Sequence, residues 1–293
     1  MTLQLGILSA LLCAVFSNLA FFYKHRGAQT VSRVDIRHPL RSAADLWRSK
    51  WFAIGMLVGL FAWILHVAAL SMAPLSVVQA VVAGGVALIA VMADRVFGIN
   101  VGRRQWWGLG LTAVGLVLLA VTMPHGSGAH SSFSVAGMVS FEAALLGVGA
   151  LLIIGPRAAG AHAKHHGVAL AAASGILFGV CNVGVKALSG IVGHAGIVGL
   201  VSPWTLVALI GSVGAFYASA RSLQDGAAVE VIAITGTAAS IVGISGGILV
   251  FGDPMPADTA GVIVQAIAFV LVIVASALTP APRAALQPAG ATA

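Results

Sequence analysis

Apolar residues fall into long uninterrupted blocks along this chain, and polar residues gather in the gaps between them. Nine blocks reach the roughly 20 residues needed to cross ~30 Å of hydrocarbon. They cover 3–23, 51–71, 74–94, 105–123, 134–154, 168–188, 200–220, 227–250 and 258–278. In lipid a backbone must satisfy its own hydrogen bonds, and runs of this length do so as helices. Their Leu, Val, Ala, Ile and Gly content shows no polar–apolar alternation, which argues against a membrane β-barrel. The expected fold is an all-α integral membrane protein of about nine transmembrane helices.

The basic residues orient these spans. The connection 24–50 holds Lys24, Arg26, Arg33, Arg37, Arg41, Arg48 and Lys50; 95–104 holds Arg95, Arg103 and Arg104. Arg157 and Lys164 lie in 155–167, Arg221 between the seventh and eighth spans, and Arg283 in the tail. These alternate connections carry fourteen of the fifteen Lys and Arg residues, leaving only Lys186 for the opposite side. Basic loops stay in the cytoplasm during insertion, so the amino terminus is expected outside and the tail 279–293 inside. The first span reads as an anchor rather than a cleaved signal: nothing basic precedes it, and Lys24 and Arg26 follow without a small-residue cleavage site. Within 24–50, the stretch RHPLRSAADLWRSKW places Trp47 and Trp51 beside basic groups. It reads either as a short helix on the inner headgroups, drawn to anionic lipid, or as a solvated loop.

Composition sharpens this picture. The chain of 293 residues is 59% hydrophobic and 8% charged, too few charges to cover a soluble globule of that size. The net charge of +7 is accounted for by membrane orientation. No basic cluster is interleaved with aromatics, so nucleic acid is not an expected partner. Cys13 and Cys181 both lie in apolar stretches, which excludes a disulfide scaffold and a four-thiolate metal site. Eleven Arg against four Lys, with abundant Ala and Gly, points to a GC-rich bacterial source and hence to the cell membrane.

The two halves of the chain resemble each other. Phe16 and Lys24 match Phe178 and Lys186 at the same separation, and AALSMAPLSVVQAV (68–81) aligns without gaps on SARSLQDGAAVEVI (219–232), setting Gln79 opposite Glu230. Each half then passes a Gly pair, Gly84-Gly85 or Gly246-Gly247, and a Phe-Gly step, Phe97-Gly98 or Phe251-Gly252, and ends near Pro124 or Pro280. Spans one to four (1–123) thus correspond to spans six to nine, with the fifth opening the second unit (134–278). An odd number of intervening crossings inverts the second copy, the plan by which many secondary transporters surround one midplane site.

The order of spans, the A-P-L-S-V-V entry at 73–78 and the Phe-Gly-Asp ending at Asp253 resemble the drug/metabolite transporter superfamily, in its EamA-like form. That resemblance implies ten helices in two inverted halves, of which this chain lacks the first. The long basic loop followed by Trp51 and Ala73-Pro74 is similar to the NIPA-type magnesium transporters, and departs from them after Val78 at Gln79-Ala80. The resemblance implies a carrier of a small metabolite or drug-like solute, with a magnesium or divalent-cation transporter as the alternative. No cofactor is implied, no metal ligand set is assigned, and a homodimer is left open.

Charge inside a span is costly, about 2.5–3.5 kcal/mol on insertion scales, and calls for a reason. Glu142 lies about nine residues into the fifth span and Glu230 about four into the eighth. Both are candidates for a proton or cation site that couples transport. The structural alternatives are a neutral acid bonded to a neighbouring helix for Glu142 and snorkelling for Glu230. His66, Gln79 and Asn182 fall at similar depth toward the outer side, Asn18 toward the inner side near Glu230, and Gln265 at mid-span. Together they are expected to line a polar cavity; singly, Asn and Gln often only join helices. The H-x-x-H-H cluster of His162, His165 and His166 reads as a solvated loop or a transition-metal sensor. One enzymatic alternative is visible: Gly243-Ile244-Ser245-Gly246-Gly247 resembles the serine motif of rhomboid intramembrane proteases. Yet no histidine follows His194, and His66 would have to act as base.

Overall fold

The structure, a computed structural model, describes residues 2–32, 34, 38–85, 103–122, 131–158, 163–225 and 228–278. Residues 86–94 of the third expected span, Arg33, Arg37, Arg95, Phe97-Gly98, Pro124, His125, His130, His162 and the tail with Pro280 and Arg283 lie outside the described residues. So do the side chains of Arg157, Lys164, His165 and Glu230.

Every regular element among the described residues is helical. They are α1 (Thr2–Ala28), α2 (Pro39–Arg48), α3 (Lys50–Met72), α4 (Leu75–Gly85), α5 (Arg103–Thr122), α6 (Val135–Ala158), α7 (Ala163–Ala195), α8 (Pro203–Asp225), α9 (Ala228–Leu249) and α10 (Thr259–Leu278). Six of them contain stretches long and apolar enough to cross a membrane: α1, α3, α6, α7, α8 and α9. Three shorter apolar helical stretches occur at Leu75–Gly85, Trp106–Leu119 and Thr259–Ala275. The chain is a membrane-embedded helical protein.

Several boundaries move from their expected places for local reasons. α1 continues to Ala28 because no proline interrupts it. α7 runs 33 residues, about 50 Å at 1.5 Å per residue, and stops where Gly196 takes a left-handed φ of 64°. A short 3₁₀ turn (Gly196–Leu200) follows, and Pro203 then opens α8, proline being suited to a first helical position. The α3–α4 break has a comparable cause. Ala73 precedes Pro74, whose ring disfavours a helical conformation there, and Ala73 is extended at φ −137° and ψ 158°.

Packing radiates from α7. Its most apolar window is 67% buried, against 17% for α6, so α7 is central and α6 peripheral. α7 packs on α8 and α9, and its neighbours are tied by hydroxyl groups: Ser174 Oγ donates to Ala215 O and Thr235 Oγ1 to Ala171 O, both at 3.1 Å. In the first half α1 lies along α3, while α5 pairs with α10. One core joins Leu70, Leu75 and Val78 to Met138, Val183 and Trp204; a second joins Ala80 and Ala83 to Leu119, Ile244 and Phe269. Large apolar side chains such as Leu57, Trp63, Leu151 and Leu206 are turned outward, as a lipid solvent permits.

At the end of α1 the chain docks onto the end of α8. Gln29 Nε2 donates to Leu223 O at 2.7 Å, and Val34 N donates to Gln224 Oε1 at 2.8 Å. Gln224 Nε2 donates in turn to Ala28 O and Ser32 O. Arg221 links Val34 O at 2.6 Å to Asp225 at 2.8 Å, and His166 Nδ1 approaches the same carboxylate at 3.4 Å.

Candidate functional site

Three of the six sequence candidates meet. His66 on α3 and Gln79 on α4 are buried, 6% and 2% exposed, and the Gln79 amide Nε2 stands 3.4 Å from His66 Nε2. It donates there when that ring nitrogen carries the lone pair. Asn182 on α7, half-buried, interacts with the same imidazole. The fourth wall is Gly243 on α9: a methyl placed there would collide with Gln79 Cγ and lie 2.7 Å from its Cδ. Hydrogen leaves room for the amide, so four helices converge on one neutral polar cluster.

One turn along the same helices a second, charged layer forms. Lys186, four residues beyond Asn182, is fully buried and donates through Nζ to Leu70 O at 2.7 Å and Ala73 O at 2.9 Å. Those carbonyls belong to the end of α3, which carries the negative pole of its helix. Asp253, 3% exposed, caps the other side of the break: its Oδ2 accepts from Ser76 N at 2.6 Å, in the first turn of α4. A carboxylate there meets unpaired N–H groups and the positive pole. Lys186 and Asp253 also interact electrostatically. Both ends of the broken helix are thus held by charges from the second half of the chain.

Local sequence explains how Asp253 arrives there. α9 ends in a turn with Gly252 at φ 60° and Asp253 N donating to Gly247 O at 2.9 Å, a left-handed conformation that glycine adopts without strain. The turn folds the carboxylate back over the last turn of α9. Gly247 then has to be glycine: a methyl there would collide with Asp253 Oδ2 and sit 2.7 Å from Ser76 N. An aromatic group covers this layer, with Phe133 edge-on to Trp204 at 5.5 Å and to Phe251 at 5.9 Å.

The remaining candidates lie elsewhere. Glu142 on α6 is 2% exposed, and among the described residues neither carboxylate oxygen has a hydrogen-bond partner. It interacts with Cys181 on α7, whose Sγ is 3.0 Å from Ser212 Oγ on α8. It is therefore not one of the groups hydrogen-bonded around His66. Asn18 donates to Ala14 O in its own helix at 2.8 Å and joins no other candidate. Gln265, 1% exposed, reaches Pro254 O at 3.4 Å, beside the Asp253 turn. Glu230 belongs to the first turn of α9, and its side chain lies outside the described residues. Ser245 Oγ donates to Ile241 O at 2.7 Å within α9, and His66 engages Gln79 and Asn182 instead, so the serine-nucleophile reading gains no support.

Lys186 and Asp253 join the candidate site although sequence reasoning did not place them there. The signals were present: Lys186 is a lone charge inside the apolar run 168–188, and Asp253 ends the Phe-Gly-Asp turn. Among the described residues no three His, Cys, Asp or Glu side chains gather as a metal site. No protein-family model, curated protein or solved structure matches the chain.

Proposed function

We propose that this protein is a secondary transporter of the drug/metabolite type, moving a small polar organic solute across the cell membrane by alternating access. The observation that carries the reading is the His66–Gln79–Asn182 cluster, with helices of both halves contributing to it. Buried polar groups are costly in a membrane and persist where they pair or line a pathway. Here the donors and acceptors are neutral, which suits a hydrogen-bonding solute. A magnesium ion would ask for several oxygen ligands, carboxylates among them.

Further support comes from the pairing of helices. α1 lies along α3 as α7 lies along α8, and α5 meets α10 as the last helices of units 1–123 and 134–278 would in an inverted repeat. In this reading the three shorter apolar helices complete nine crossings, with the amino terminus outside and residues 279–293 in the cytoplasm. The Lys186–Asp253 layer then lies on the outer side of the cluster, where it holds the α3–α4 break shut. Separation of the two charged caps would free that break and open the cluster outward. Glu142, buried without a partner, supplies the site for a coupling proton or cation, and Glu230 a second one near the inner face.

Uptake into proteoliposomes tests this, with a panel of sugars, amino acids, nucleosides and polyamines and with magnesium. Wild-type vesicles should take up at least one organic solute. Gln79→Ala and Asn182→Ala should each reduce that uptake about tenfold or more, while Glu142→Gln and Glu230→Gln should change its response to a pH gradient. Magnesium uptake alone, or equal rates in all variants, overturns the proposal.

A further inference from the structure

The corner where α1 ends and α2 and α3 begin carries a chemistry that transport does not use. α2 presents three distinct faces. Leu46 and Ser42 are buried, Leu46 against Ala28, Val34, Phe52 and Ala220, so this face fixes the helix to the bundle. Leu40, Ala44 and Trp47 are exposed and, at 3.6 residues per turn, fall within a sector of about 60°. Leu40 is 85% exposed and Trp47 48%, an apolar stripe left uncovered by the described residues. Arg41 and Arg48 form the adjacent stripe, both exposed; Arg48 keeps a 3.5 Å contact with Asp45 and is still 83% exposed.

The neighbouring helix ends extend the same pattern. Only Ser49 separates α2 from the apolar span α3, which begins with exposed Lys50 and Trp51. Tyr23 stacks on Trp51 with ring centroids 5.8 Å apart, and the Arg26 guanidinium sits 4.0 Å from the Trp51 ring centroid. Four basic groups thus stand beside an exposed apolar stripe at the level where a membrane span starts, with Asp45 as the acid on α2. Tryptophan and tyrosine favour that level because one part of the ring is apolar and the other polar.

We infer that this corner binds an anionic phospholipid of the adjoining leaflet. The phosphate meets Arg26, Arg41, Arg48 and Lys50, while the upper acyl chain lies along Leu40, Ala44 and Trp47. The argument for lipid, rather than an acidic protein, is position. The stripe continues directly into lipid-facing α3, and a helix with an apolar and a basic face lies flat at that boundary. Anionic headgroups supply the complementary charge. The inference stands apart from transport and needs only the membrane reading.

Quenching of tryptophan fluorescence tests it. Full-length protein in neutral detergent is titrated with dibrominated phosphatidylglycerol or dibrominated phosphatidylcholine, and the quenching lost in Trp47→Phe isolates this corner. Phosphatidylglycerol should quench Trp47 at a concentration at least tenfold lower than phosphatidylcholine does. Each basic residue is worth about fivefold, so the double variant Arg41→Gln/Arg48→Gln should raise the half-quenching concentration about twenty-five-fold. Its thermal unfolding should match wild type, since both side chains are exposed. Equal titrations for the two lipids, or an unchanged midpoint in the double variant, would overturn the inference.

Discussion

The same substitution at two positions of α9 should have opposite consequences. At Gly247 a methyl group would displace the Asp253 carboxylate from Ser76 N, because it would occupy the space of Oδ2. A hydrogen bond with one charged partner contributes about 1.5–3 kcal/mol, and the carboxylate, with Oδ1 already unpaired, would be left buried without a donor. Alanine returns at most about 1 kcal/mol through helix propensity, and less in a terminal turn. A net loss of about 1–2 kcal/mol remains, which lowers the melting temperature of a chain this size by roughly 2–8 °C. Gly236, earlier in α9, is exposed with nothing within 4 Å of an added methyl. Gly236→Ala should leave the melting temperature unchanged or raise it slightly. Thermal scans of both variants in the same detergent, followed by circular dichroism, measure the difference. If Gly247→Ala melts with or above wild type, the capping of α4 by Asp253 does not contribute as argued.

Gly243→Ala should cut solute uptake by about tenfold or more in proteoliposomes, because the methyl displaces Gln79 from His66, while Gly236→Ala transports at the wild-type rate. Glu142→Gln should retain or improve thermal stability, since among the described residues neither carboxylate oxygen makes a hydrogen bond that the amide would lose; a fall of several degrees in the same scan would contradict this. Gln224→Ala removes the acceptor of Val34 N and should speed hydrogen exchange at that amide roughly fivefold or more, corresponding to about 1 kcal/mol of lost protection, as read by mass spectrometry.

Membrane embedding was legible in the sequence because it depends on the length of apolar runs, a one-dimensional quantity. Counting residues from the loops set His66, Gln79 and Asn182 at one level, and the structure brings the three side chains together. The rotation of each helix about its axis was not legible. Glu142 and Asn18 were candidates by depth, yet Glu142 interacts with Cys181 and Asn18 bonds its own helix. Apolar faces all round these helices leave no amphipathic stripe to show which side turns inward.

The chain by itself determined that lipid is its solvent, since that follows from the length of its apolar runs. Only the tertiary structure decided that Lys186 and Asp253, 67 positions apart in the sequence, hold the two ends of the Ala73-Pro74 break. A broken helix exposes carbonyls on one side and N–H groups on the other, and the sequence does not name their partners. Folding must first bring α7 and the turn after α9 against the break, and glycine at position 247 is what lets that turn come close enough.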